Sequence, residues 1–260
     1  MSVRSDLRVL RHMAFAPIRG KTHAERLESF YAGQADDYDG FRRRLLHGRE
    51  ELVGRLPSEP GQVWLDMGGG TGANLEFAAD DLPARKAVYL VDLSPSLLQR
   101  AARRIAERGW QHVHTVVADA CTYRPPEPAD VVLFSYSLTM IPDWHAALLN
   151  AHAALRPGGW IGVVDFHVAR KYPAEGHRRH GWLARWFWRV WFDRDNVWLS
   201  PDHLPFLERL FETEFLAERT GAVPYLPFLR APHYLFVGRK SKDAANWSKD
   251  SCGAEDSTRS

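Results

Sequence analysis

Cysteine is almost missing from this chain: Cys121 and Cys252 are the only two in 260 residues. Two distant thiols give no disulfide framework and no metal-ligand spacing, so no metal is expected and a reducing, cytoplasmic location fits. Long hydrophobic runs are missing as well. No segment approaches the roughly 20 apolar residues that cross a bilayer, and the N-terminus has no continuous apolar stretch followed by a small-residue cleavage site. An excess of charge of one sign is missing too. The formal net charge is +2, too small to mark a nucleic-acid binder, and no nucleic-acid partner is expected. Tryptophan, by contrast, is abundant: there are ten, and Trp182, Trp186, Trp188, Trp191 and Trp198 crowd one short segment.

With 45% hydrophobic and 25% charged residues, the chain has the mix of an ordinary globular domain with tails. Residues 1–22 read as a basic leader carrying Arg4, Arg8, Arg11, Arg19 and Lys21. Residues 23–58 read as two helices with an aromatic face, ended by Pro57 and the Ser-Glu-Pro-Gly run after it. A regular alternation follows. Apolar strands are expected at 62–67, 87–92, 113–117, 130–135 and 160–166, with helices at 73–79, 96–108 and 144–155. This pattern predicts an α/β fold with a mostly parallel sheet covered on both faces. The alternation breaks over an insertion at 167–200. It resumes with a helix near 202–211 and strands near 213–219 and 233–237. Residues 240–260 are polar and read as a disordered tail.

The run Asp66-Met67-Gly68-Gly69-Gly70-Thr71-Gly72 lies between the first strand and the first helix. Glycines there allow a sharp turn and close approach of backbone to a ligand. Gly68, Gly70 and Ala73 imitate the G-x-G-x-x-G spacing of dinucleotide sites, so the loop alone leaves two cofactor classes open. The acids separate them. Asp66, at the end of the first strand, repels a pyrophosphate but accepts a hydrogen bond from an ammonium. Asp92, ending the second strand, suits both ribose hydroxyls, in either class. Asp119, in Ala118-Asp119-Ala120 after the third strand, suits an adenine amino group. An S-adenosylmethionine cofactor, which has an amino-acid end and no phosphate, fits all three.

This constellation resembles the class I S-adenosylmethionine-dependent methyltransferases over roughly residues 60–240. The Leu155-Arg156-Pro157-Gly158-Gly159 turn adds to the likeness. The resemblance implies a Rossmann-like, seven-stranded sheet whose last strand is antiparallel, under an N-terminal helical lid. It also implies a cofactor site of Tyr38, Asp66, Gly68, Gly70, Asn74, Asp92, Leu93, Asp119, Ala120 and Ser135. After the fourth strand, Ser135-Tyr136-Ser137-Leu138 replaces the Asn-Pro-Pro-Tyr tetrad of many relatives. That departure argues against DNA and glutamine N-methylation and for small molecules or lipids.

The aromatic segment Phe30–Arg42, the glycine loop and Ser135–Trp144 together resemble a narrower family. These are the bacterial diacylglyceryl-homoserine N-methyltransferases and the methyltransferase half of eukaryotic betaine-lipid synthases, over roughly residues 25–240. The likeness implies successive methylation of a homoserine amine on a membrane lipid, with a separate upstream enzyme as a possible partner. Tyr31, Tyr38 and Tyr136 are the candidate catalytic residues lining the transfer pocket. Arg49 and His167 are candidate acceptor contacts, Arg49 because it suits a carboxylate. The insertion carries seven basic and three acidic residues between Arg170 and Asp195. Within it, 181–192 reads as a mostly apolar helix edged by Arg185 and Arg189, suited to peripheral contact with an anionic membrane surface; burial against the sheet is the competing reading. Other readings of function are a phosphatidylethanolamine N-methyltransferase, a quinone C-methyltransferase and a non-catalytic S-adenosylmethionine-binding adaptor.

Overall fold

The computed structural model describes residues 44–193, 197–224 and 226–242, with positions 20, 22, 25, 26 and 28 and only the backbone at 227. Tyr31 and Tyr38, most of the expected leader and N-terminal helices, and the tail from 243 lie outside the described residues.

The strands are β1 (Val63–Met67), β2 (Ala87–Asp92), β3 (Val113–Val117), β4 (Ala129–Ser135), β5 (Leu155–Phe166), β6 (Glu212–Val223) and β7 (Leu226–Arg239). They form one seven-stranded sheet in the order β3-β2-β1-β4-β5-β7-β6. β1 to β5 pair in parallel, and β7 runs antiparallel between β5 and β6. This is the expected Rossmann-like architecture, with the order reversing beside β1 and β4.

Successive side chains on a strand face opposite sides, and each central strand feeds two cores. Trp64, Leu90, Val131, Leu133, Val164 and Leu235 pack on one side. Leu65, Val91, Val132, Phe134, Val163 and Phe236 pack on the other. Both faces are covered, which is why the strands read as unbroken apolar runs.

The helices are α1 (Arg49–Arg55), α2 (Pro95–Arg108), α3 (Trp144–Ala154), α4 (Trp182–Asp193) and α5 (His203–Leu210). Their ends follow from local chemistry. Ser94 caps α2 by accepting the Leu97 N–H at 3.4 Å, Pro95 holds the first helical position, and Gly109 at φ 68° closes the helix. Asp143 caps α3 by accepting the Ala146 N–H.

Three elements differ from expectation. The helix after the glycine loop is a short 3-10 segment, Ala73–Ala78, cut off before a second one at Leu82–Ala84 that contains Pro83. The Arg156–Gly159 turn is the irregular start of β5: Leu155 pairs with Ala129, and Gly158 and Gly159 exchange backbone hydrogen bonds with Lys240. β7 begins at Leu226 rather than 233. Its prolines read as loop, but β5 stops at the Phe166–His233 pair; beyond it the Pro232 carbonyl accepts the His167 N–H at 2.9 Å, and the strand pairs with β6. Pro232 sits where one edge of the strand has left the sheet, a position that tolerates a missing donor.

Candidate active site

The glycine loop leaves β1 and folds back on β2. Gly68 and Gly69 both donate to the Val91 carbonyl, at 2.7 and 3.2 Å. Gly68 has φ 74°, and a Cβ there would lie 2.4 Å from the Ser137 Cβ. Ser137 in turn donates its hydroxyl to the Met67 carbonyl at 2.7 Å. The loops after β1 and β4 are thus pressed together where only glycine fits. Gly70 N–H donates to one oxygen of Asp92 at 3.0 Å and Ser94 N–H to the other at 2.8 Å. Those bonds fix the carboxylate at the crevice, where its oxygens can accept from ligand hydroxyls.

Between these loops lies a crevice of about 240 Å³, lined by Gly68, Gly70, Asp92, Leu93, Asp119, Ala120 and Tyr136 among others. Seven of the expected site residues therefore meet around one space, at the carboxyl ends of β1 to β4. Met140, Ile141 and Pro142, from the stretch after β4, also line it, as does Cys121, which was not anticipated. Burial, with Asp119 beside it, pushes the Cys121 thiol up to about 12, so it stays protonated and is no nucleophile.

Asp66, Asn74 and Ser135 stand behind the loop as a buried chain. Ser135 donates to Asn74 Oδ1, and the Asn74 amide donates to Asp66 Oδ2, each at 3.2 Å. Asp66 Oδ1 is buried with no hydrogen-bond partner among the described residues. Burial pushes this carboxyl up to about 7, with Asp92 adding to the rise; the Asn74 bond and the positive charge of Arg49 pull the other way. A buried acceptor with an unused lone pair, close to a cation, suits a ligand that brings both an ammonium and a carboxylate.

Arg49 is buried at the start of α1, with its guanidinium 5.5 Å from the Phe77 ring. Its charge acts on both Asp66 and Tyr136. Tyr136 has φ 54°, an uncommon conformation for a bulky residue. Its hydroxyl donates to the His47 carbonyl at 2.8 Å and its ring edge meets Phe166 at 4.7 Å. Burial holds the phenol well above its ordinary value. Tyr136 therefore offers the crevice an aromatic wall and no base.

His167 does not line the crevice. It sits just past β5, its Nε2 2.7 Å from Glu218 of β6 and its ring 5.5 Å from His180. Sequence reasoning missed Glu28, which accepts the Ser94 hydroxyl at 2.6 Å and ties the N-terminal region to the loop after β2. Its only signal was its place in a segment expected to cover the cofactor.

Residues 65–161, 97 of the 260, match the family model described as Methyltransferase domain. Among curated relatives, the aklanonic acid methyltransferase of Streptomyces sp. (strain C5) is 37% identical over 113 residues, 42% of this chain and 50% of that one. The demethylmenaquinone methyltransferase of Anoxybacillus flavithermus is 26% identical over 147 residues, 54% of this chain and 62% of that one. The chain thus spans about half to three-fifths of the length of these relatives. Among solved structures, Haemonchus contortus phosphoethanolamine N-methyltransferase 2 in complex with S-adenosyl-L-methionine superposes with a TM-score of 0.66, covering 86% of this chain and 61% of that one. At 16% identity that likeness is one of fold.

Proposed function

We propose that this chain is an S-adenosylmethionine-dependent N-methyltransferase that successively methylates the amine of diacylglyceryl-homoserine, giving a trimethylated betaine lipid. The observation that carries the cofactor is buried Asp66 at the end of β1, with the charge of Arg49 from the start of α1 acting on it. Asp66 offers an unused oxygen to the ammonium of the cofactor's methionine end, and Arg49 offers its charge to the carboxylate. The Asn74–Ser135 chain holds Asp66 in place. Asp92 receives the ribose and the Asp119 turn the adenine, with Leu93 and Ala120 along the crevice wall.

The bound cofactor supplies an electrophilic sulfonium methyl group. The chain's task is to aim an acceptor lone pair at it and to keep water out. The acceptor ammonium must lose one proton to solvent to expose its lone pair, and the neutral fraction that attacks grows as pH rises. No protein base is required, which agrees with a crevice whose Tyr136 and Cys121 are both held protonated.

The acceptor assignment draws on the sequence resemblance and on the apolar wall of Met140, Ile141 and Pro142 at the crevice. A quinone C-methyltransferase is the second reading, favoured by the demethylmenaquinone methyltransferase relative. The test is transfer of labelled methyl from S-adenosylmethionine to diacylglyceryl-homoserine, phosphatidylethanolamine and demethylmenaquinone, offered separately in detergent. Label in the homoserine lipid alone, with mono-, di- and trimethyl products by mass spectrometry, is expected. Label only in the quinone overturns the N-methyl assignment, and no transfer to any acceptor with cofactor binding intact leaves a binding module.

A further inference from the structure

Helix α4 has two apolar faces. On the inner one, Trp188 and Phe192 are buried, with rings 5.5 Å apart, and Phe192 packs 4.3 Å from Phe166 of β5. That settles half of the question the sequence posed: the helix is anchored in the core. On the opposite side Trp182, Trp186 and Val190 recur every four residues and are 69%, 60% and 43% exposed, with Leu183 beside them at 59%. A helix on a water-facing surface normally turns polar residues outward. This one presents a contiguous apolar stripe, which marks a contact surface.

Cations flank the stripe. A groove of about 450 Å³ beside it is lined by Arg170, Lys171, Arg185 and Arg189 together with Trp182 and Trp186. Asp202 pairs with Arg170 at 2.6 Å. A second groove, of about 600 Å³, shares Arg189 and Val190 with the first and Ile141 and Pro142 with the methyl-transfer crevice. The surface is therefore continuous from the exposed tryptophans to the crevice.

We propose that α4 is a docking helix for an anionic phospholipid bilayer, and that the groove past Ile141 and Pro142 admits a lipid headgroup to the crevice. Trp182, Trp186 and Val190 enter the boundary between headgroups and acyl chains. Lys171, Arg185 and Arg189 lay their stems along the apolar surface and meet lipid phosphates. The charge decides the occupant. A second copy of the same face would set like cations against one another across a twofold axis, whereas a bilayer of anionic lipid offers both the apolar layer and the countercharge. Docking stands on this surface alone; the route for the headgroup rests on the proposed lipid acceptor.

The full chain is tested by flotation with phosphatidylcholine vesicles with and without phosphatidylglycerol. Arg185→Gln with Arg189→Gln is expected to weaken binding to anionic vesicles by about 30-fold, at roughly 1 kcal/mol per cation at the surface, and to leave neutral vesicles unaffected. Trp182→Ser, Trp186→Ser and Val190→Ser combined are expected to weaken binding about tenfold or more on both. Retained S-adenosylhomocysteine affinity and melting temperature show that these variants fold, and Trp188→Ala, on the inner face, is expected to lower the melting temperature instead. The proposal is overturned if the wild type does not float, or if the triple variant floats as well as wild type. A wild-type dimer that the triple variant dissociates, without vesicle binding, also overturns it. Flotation that persists while no amine lipid is methylated refutes the acceptor and not the docking. Methylation of detergent-dispersed lipid without flotation refutes the docking and not the acceptor.

Discussion

Replacing Asp66 with asparagine separates stability from ligand recognition. The wild-type carboxyl is 3% exposed, and burial raises it from 3.8 to about 7. The unfolded chain ionises this group near its ordinary value, the fold only near 7. Ionisation therefore costs the fold nothing below about pH 4, a growing amount between, and the full amount above about 7. A shift of about three units corresponds to about 4 kcal/mol. The asparagine side chain would still accept from Asn74, whose amide now donates to Asp66 at 3.2 Å. Its own amide would take the place of the unpartnered oxygen and leave a buried donor unpaired, at about 1–3 kcal/mol. Asp66→Asn should thus stabilise the cofactor-free protein by about 1–3 kcal/mol at about pH 8 and do little or harm at about pH 5. Between those two pH values the difference from wild type should move by about 3 kcal/mol, or roughly 5–10 °C in melting temperature for a chain of this size. Parallel thermal denaturation of both proteins at the two pH values measures it. A melting difference that is the same at both refutes the claim that this carboxyl titrates near 7. The same variant should lose S-adenosylhomocysteine affinity by about tenfold or more, the scale of one charge-assisted hydrogen bond.

Three further outcomes follow from the same geometry. Because a ligand ammonium favours ionised Asp66, binding should release a proton at acid pH, and wild-type affinity for S-adenosylhomocysteine should fall up to about tenfold per unit below pH 7; calorimetry in buffers of different ionisation heat reads the proton directly. Gly68→Ala should abolish measurable cofactor binding, because its Cβ would stand 2.4 Å from Ser137 Cβ at a φ of 74°; equilibrium dialysis with labelled S-adenosylmethionine checks it. Thr139→Val removes the hydroxyl that donates to buried Asp165 at 2.6 Å and should cost about 1.5–3 kcal/mol in stability by chemical denaturation, without weakening cofactor binding.

The parts legible in the sequence were those with local causes. β1, β2 and β4 are apolar runs bounded by glycine or acid, α2 has its serine cap and closing glycine, and Asp92 ends β2 and Asp119 follows β3 where the crevice forms. The parts that were not legible depend on distant partners. The prolines of Leu226–Pro232 read as loop because nothing local says that β6 will pair with that stretch. Arg49 suggested a carboxylate contact, but its neighbours Asp66 and Tyr136 come from other elements and show only in the fold. Tyr136 was a candidate catalytic residue of the transfer pocket; its bond to the His47 carbonyl could not be read from spacing. His167 follows β5 directly, yet its ring lies beside Glu218 on β6 and not at the crevice. The two faces of α4 were blurred in sequence because tryptophan serves a core and an interface equally well.

That assignment of Arg49 bears on the acceptor. On the proposed reading, Asp66 at the end of β1 and Arg49 at the start of α1, whose charge acts on Asp66, serve the cofactor's methionine end rather than a homoserine headgroup. An acceptor with its own carboxylate must then find a cation elsewhere along its path. From the crevice that path leads past Ile141 and Pro142 to Arg189, which lines both grooves beside α4. A lipid approaching from a bilayer docked on α4 would bring its headgroup past that arginine before its amine reached the wall formed by Tyr136 and Met140. A neutral quinone ring has no use for the charge. Arg189→Gln should therefore raise the KM for the homoserine lipid in detergent, where docking plays no part, while leaving any quinone methylation unchanged. An unchanged KM for the homoserine lipid would remove this arginine from acceptor recognition and leave it a membrane contact only.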